Sequence, residues 1–160
     1  YQNRANSVPI EELWSYRPYA LQLKHKHLPE MKKYTGLSNF PIFVPSVGHF
    51  YQGMLIQVPL VLSKLSKAVG LDDIQEVYSA TYLNEKFITV FPVNDQEALE
   101  NGFLSPTKCN GTNCLDLFVY GNEDQAVLIA RLDNLGKGAS GAAVQNLNLM
   151  LGIEETEGSM

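Results

Sequence analysis

A chain of 160 residues with 12 lysines and arginines against 17 aspartates and glutamates carries a net charge of −5. It has no basic surplus to neutralise phosphates, which argues against general nucleic-acid binding. No apolar run reaches the ~20 residues that a membrane span requires. Hydrophobic residues at 45% and charged residues at 18% suit a soluble domain able to bury a core, with the cytoplasm as the default compartment.

Cys109 and Cys114 are too few for a disulfide scaffold. The chain opens on Tyr1 rather than Met, as expected of a processed or excised piece. Tyr1 to Glu12 is polar, and Val8-Pro9-Ile10 suits a loop leading into a strand. From Leu13 to His27, Pro18 argues against a helix interior, and apolar residues alternating at Tyr19, Leu21 and Leu23 predict a strand. Lys24-His25-Lys26-His27 continues it, which would place both imidazoles on one strand face and both lysines on the other. Pro29 to Tyr34 reads as a short helix with Pro at its start and Gly36 as its C-cap.

Phe40 to Pro45 is expected to form a short edge strand, followed by a loop from Ser46 to Gly53 that carries His49. Met54 to Leu62 is β-like around Pro59. Asp72 is placed as the N-cap of a helix from Asp73 to about Leu83, with Ile74, Val77, Tyr78 and Thr81 inward. Phe87 to Val93 is a strand, and Asp95 to Asn113 is polar and turn-rich. Leu115 to Tyr120 and Ala126 to Leu132 form a hairpin across Gly121–Gln125. A helix from Ser140 to Leu151 follows, with Val144, Leu147 and Leu151 at helical spacing. An acidic tail from Glu154 is expected to fray. The sum is one α+β domain over 1–160, a mixed and mostly antiparallel sheet covered by helices on one face.

Imidazoles near neutrality serve proton transfer or metal binding. A metal site could use His25, His27, Glu30 and His49, but one i, i+2 pair with remote donors is a weak pattern and Lys24 and Lys26 oppose a cation, so no metal is assigned. The alternative is a surface strand with solvated imidazoles. Asn134-Leu135-Gly136-Lys137-Gly138-Ala139-Ser140-Gly141 precedes a helix, as phosphate-cradling loops do. Its glycine spacing fits neither a P-loop nor the dinucleotide fingerprint, and a flexible helix cap is the plainer reading.

Three segments together resemble the N-acetyl-gamma-glutamyl-phosphate reductase family. His25-Lys26-His27-Leu28-Pro29-Glu30-Met31 is similar to the family's His-Arg-His-x-Pro-Glu-Ile. Phe43 to Met54, with Val44-Pro45 and Gln52-Gly53, is similar to its Phe-Thr-Pro segment ending in Arg-Gly-Ile. Asp133-Asn134-Leu135-Gly136-Lys137-Gly138 through Ala143-Val144-Gln145 to Asn148 is similar to its C-terminal signature. The resemblance implies the second, substrate and oligomerisation domain of an NADPH-dependent enzyme of arginine biosynthesis, in the manner of the C-terminal domain of glyceraldehyde-3-phosphate and semialdehyde dehydrogenases. The family's Rossmann domain and Pro-Gly-Cys nucleophile have no counterpart in these residues, so the isolated chain is expected to be inactive, and Cys109 and Cys114 do not inherit that role.

Residue by residue, the resemblance implies His25 as the catalytic imidazole. It implies His27, Glu30 and Gln52 as substrate contacts, with Glu30 either orienting an imidazole or capping the helix. It implies Asn134, Lys137 and Gly138 on the NADP side. Gln52 stands where the family usually has arginine, removing a cation for a substrate carboxylate or phosphate. Implied partners are a small-molecule substrate, the chain's own Rossmann domain and further copies in a homo-oligomer. The alternative is a non-catalytic oligomerisation module.

Overall fold

The computed structural model describes residues 15–159, so the expectations for Tyr1–Glu12 and Trp14 fall outside the described residues. Two compact units emerge, one ending at Tyr51 and the other beginning at Gln52.

In the first unit, β1 (Tyr16–Pro18) pairs antiparallel with β2 (Ser46–Gly48), Arg17 facing Val47. The strand expected across Tyr19, Leu21 and Leu23 is not formed. Tyr19 N–H bonds Pro45 O at 2.9 Å and ends the ladder. The chain then turns, with Leu23 N–H on Ala20 O at 2.9 Å. Ala20 and Leu23 both take left-handed backbone angles, φ 53° and 54°, which break the two-residue repeat and cost L-residues on the order of 1 kcal/mol each. The apolar alternation therefore belongs to a turn. Phe40–Pro45 is likewise irregular, because Pro41 and Pro45 lack the N–H a ladder needs, and β2 starts at Ser46 inside the expected loop. Helix α1 (Leu28–Thr35) is as the sequence implies, with proline in its first turn, Gly36 left-handed at its end (φ 70°), and Leu28 buried.

The second unit holds a four-stranded sheet in the order β3-β6-β5-β4, from β3 (Met54–Val61), β4 (Ile88–Val90), β5 (Leu115–Gly121) and β6 (Gln125–Leu132). The β5–β6 hairpin and the β3–β6 pair are antiparallel, and β4 runs parallel to β5. The mixed, mostly antiparallel α+β architecture expected from the sequence is thus present. Pro59 lies on β3, an edge strand, where its missing N–H is tolerated.

Helix α2 (Leu71–Thr81) packs on β5 and β4. It starts two residues before the expected Asp73, because the acid at its third position, Asp73, accepts the Gly70 N–H at 2.7 Å and makes Gly70 the N-cap. Val77, expected inward, is 63% exposed, and Thr81 is exposed as well. The core lies on the central strands, where Phe118 and Val119 are wholly buried and Phe118 stacks on Phe91 at 4.4 Å.

After β6 a π-helical turn, Gly136–Ser140, leads into α3 (Gly141–Leu151), which ends on left-handed Gly152. The tail does not fray as expected. Asn148, the buried residue of α3, donates through Nδ2 to Glu155 O and Glu157 O at 3.2 and 2.7 Å, and Glu154 pairs with Lys86.

Candidate functional site

In the first unit, the turn that replaces the expected strand carries His25 into the entrance of α1. The chain reverses through Ala20–Leu23, and His27 becomes the N-cap with helical angles (φ −81°, ψ −13°). His25 and His27 therefore do not share a strand face. They meet edge to face, ring centroids 4.7 Å apart. His25 is half-buried, its ring edge-on to Tyr19 at 5.8 Å and to Phe43 at 5.1 Å. His27 and Glu30 are exposed, Glu30 in the first helical turn, where a carboxylate is favoured by the dipole. The His27 backbone N–H donates to His25 Nδ1 at 3.3 Å. The neutral ring then carries its proton on Nε2, the atom left to meet a reacting group.

In the second unit, Asp133 gathers three loops. Its Oδ2 accepts Gln52 Nε2 at 2.9 Å and Gly111 N–H at 2.8 Å, and its Oδ1 accepts Leu135 N–H at 2.8 Å. Burial alone raises this carboxyl, but the amide donors of Gly111, Leu135 and Gly136 more than offset it and hold it below the ordinary carboxylate value. Gly53 N–H donates to Asn134 Oδ1 at 2.8 Å, and Gly138 N–H to Asp133 O at 2.9 Å. Gly53 has φ 112°, and a Cβ there would lie 2.5 Å from Pro106 O, so only glycine fits this corner. Lys137 turns to Gln145 Oε1 at 2.7 Å and over the Phe87 ring at 5.4 Å. Beside this hub opens a cleft of about 340 Å³, walled by Gln52, Gly111, Asn113, Asp133, Gly136 and Gly141 among others.

The sequence profile described as "Semialdehyde dehydrogenase, dimerisation domain" matches residues 4–134. The chain belongs to this family. It is 50% identical over 143 residues to "N-acetyl-gamma-glutamyl-phosphate reductase 2" of Nostoc sp., covering 88% of this chain and 44% of that protein. The like-named reductase of Trichormus variabilis is 49% identical over 143 residues, at the same coverages. That of Brucella ovis is 47% identical over 136 residues, 84% of this chain and 43% of that protein. The chain thus spans less than half the length of the curated relatives it matches.

Within this dimerisation domain the structure sets His25, His27 and Glu30 together at one helix entrance. It sets Gln52, Asn134 and Gly138 together around Asp133, while Lys137 turns away to Gln145. His49 is exposed in the bend after β2. Among the described residues no three His, Cys, Asp or Glu side chains gather as a metal site would need. Cys109 is buried against Asp116 Oδ2 at 3.2 Å, and burial followed by that contact pushes its thiol up to about 12, so it stays protonated at neutral pH. Asp116 is itself doubly bonded to buried Arg131, at 2.9 and 2.7 Å. That trio is structural.

Three contributors, Asp133, Asn113 and Gln145, were missed by sequence reasoning. For Asp133 the signal was present in the Asp133-Asn134-Leu135 signature, since an Asx side chain readily caps the turn that follows it.

Proposed function

We propose that this chain is the C-terminal, substrate and oligomerisation domain of an NADPH-dependent reductase that converts N-acetyl-gamma-glutamyl phosphate to N-acetylglutamate semialdehyde, with release of phosphate. The observation that carries the reading is the half-buried His25, its Nδ1 engaged by the His27 amide and its ring held among Tyr19 and Phe43. The names of the relatives support the same activity.

The reaction needs a thiolate to displace phosphate and a proton donor at the oxygen of the thioester-derived adduct. Cys109 is protonated and sealed, and neither it nor the partly buried Cys114 lies in a Pro-Gly-Cys motif, so in this reading the nucleophile comes from outside these residues. His25 supplies the proton from Nε2. In the first unit His27 and Glu30, exposed at the N-terminus of α1, are read as substrate contacts, and in the second unit so is Gln52. NADPH, when bound, supplies the hydride. Asn134, Lys137 and Gly138 share the turn whose Leu135 and Gly136 wall the cleft, and they would hold its nicotinamide end.

Two surfaces support further partners. Val144, Leu147, Met150 and Leu151 of α3 are 36–84% exposed, an apolar helix face suited to the parent's Rossmann domain. Ile56 and Val58 of edge strand β3, 45% and 46% exposed, suit a second copy of the chain.

Replacing the matching C-terminal portion of the Nostoc sp. reductase with this chain tests the reading. The chimera is expected to oxidise NADPH in the presence of N-acetyl-gamma-glutamyl phosphate, and the isolated chain is not. A soluble, folded chimera without turnover sinks the proposal and favours a non-catalytic oligomerisation module.

A further inference from the structure

We propose that the cleft beside Asp133 takes an uncharged amide group, with Asn113 as its hydrogen-bond acceptor and with Gln52, in leaving Asp133 without a cation, as the residue that turns anions away.

Among the described residues Asp133 is the one formally charged member of the cleft wall. It is 2% exposed, and its donors are the neutral amides of Gln52, Gly111 and Leu135. Those bonds stabilise the carboxylate without cancelling its charge, so its field extends into the cleft and opposes a second anion there. An arginine at position 52 would reach the same Oδ2, 2.9 Å from the present Gln52 Nε2, and neutralise it.

The second observation is independent. Asn113 is 2% exposed and part of the cleft wall, and its Oδ1 meets no donor among the described residues. Its orientation is fixed by a chain of bonds. Lys137 Nζ can only donate, so the atom it meets at 2.7 Å is Gln145 Oε1. Gln145 Nε2 then points at the Glu155 carboxylate, 3.0 Å away. Oε1 therefore receives Asn113 Nδ2 at 3.2 Å, and Oδ1 faces the other way. There it lies against Gly141, where a Cβ would come within 2.3 Å of it. A buried amide oxygen without a donor is costly, and a ligand N–H removes that cost. Ser159 belongs to the same wall, its Oγ also meets no partner among the described residues, and its hydroxyl would serve the carbonyl of such a ligand. Acceptor and hydroxyl together match a carboxamide.

In the reductase reading on which the ligand's identity rests, two amides qualify, the primary carboxamide of the nicotinamide and the N-acetyl amide of the substrate. The cleft's preference for amide over anion is a property of the chain by itself. Titration of the isolated, ¹⁵N-labelled chain with nicotinamide and with nicotinate, which differ only in amide against carboxylate, reads it directly. Nicotinamide is expected to give saturating shifts at the Asn113 side chain and the Gly141 amide, with a dissociation constant on the order of 1 mM, as suits so small a ligand. Nicotinate is expected to bind at least about tenfold more weakly. Gln52→Arg should narrow or invert that ratio, whereas Gln52→Leu, which removes the hydrogen bond but adds no charge, should keep it.

Equal affinity for the two probes, or no saturating shift with either, overturns the proposal. So does an unchanged ratio in a folded Gln52→Arg. Should that variant not fold, loss of the amide preference in Gln52→Leu overturns it equally. N-methylacetamide as a third probe separates the sources: binding comparable to nicotinamide assigns the cleft to the acyl amide, and its failure to bind assigns it to the cofactor's carboxamide. None of these readouts needs turnover, so an inactive chimera and a non-selective cleft are separate failures.

Discussion

His25 and His27 lie 4.7 Å apart, yet their surroundings separate them. His25 is half-buried, with two aromatic edges and a backbone N–H fixing its ring; His27 is an exposed helix cap. A proton donor must be held in position, and only His25 is. In the chimeric enzyme His25→Ala should lower turnover by about 10²–10⁴-fold, the usual worth of a positioned acid. His27→Ala should chiefly raise the Michaelis constant. Steady-state kinetics of the two variants decide, and loss of turnover in His27→Ala alone reverses the assignment. The cysteines divide by the same logic. Cys109 is 4% exposed with its thiol at about 12, whereas Cys114 is only partly buried. Iodoacetamide at neutral pH should label Cys114 in the native chain and reach Cys109 only on unfolding, as peptide mass mapping will show. Early labelling of Cys109 contradicts the sealed Asp116–Arg131 environment described above.

At the scale of elements, the turn after β6 depends on one carboxylate. The Asp133 carboxyl is held below its ordinary value, so the folded state binds fewer protons there than the unfolded chain does. The stability it contributes is present above the ordinary carboxylate range and is lost as pH falls through the lowered folded value. Asp133→Asn sets an NH₂ group against the donors it must accept, and should cost about 1–3 kcal/mol at neutral pH. It should also flatten the acid limb of a melting-temperature scan, and a variant as acid-sensitive as the parent removes Asp133 from that role.

The scale also explains what was legible. The β5–β6 hairpin, α1 with its Gly36 cap and β3 around Pro59 were readable, because their signals are local runs and turn residues. The turn at Ala20–Leu23 was not, since non-glycine residues at positive φ leave no mark in composition. The start of α2 slid two residues because a glycine cap with an acid behind it competes with an aspartate cap. Of the candidate site, the histidines and the Asn134–Gly138 turn were visible as motifs. Asp133 acquires its meaning only from Gln52, 81 residues away, and Asn113 from Gln145, 32 residues away.

For the whole molecule, two apolar surfaces compete as the contact between copies, and the family match divides them. The dimerisation-domain profile ends at residue 134. It therefore includes the sheet and excludes α3. On the sheet, Ile56 sits beside Ala130 and then Leu117, and Val58 beside Leu128 and then Val119, giving one apolar face whose β3 edge is open. On α3, Leu147, Met150 and Leu151 are 53%, 84% and 64% exposed. If the sheet face carries self-association, Val58→Glu, which buries a charge in that contact, should shift the chain to monomer in sedimentation at concentrations where the parent is a dimer. Met150→Lys should leave that equilibrium unchanged while weakening the chimera's cohesion with its N-terminal half, read as a lower unfolding temperature. Both variants are at exposed positions, so each should fold with a cost within about 0.5 kcal/mol in the monomer. A dimer that survives Val58→Glu and dissociates with Met150→Lys moves the self-association surface to α3 and leaves the sheet face without a partner.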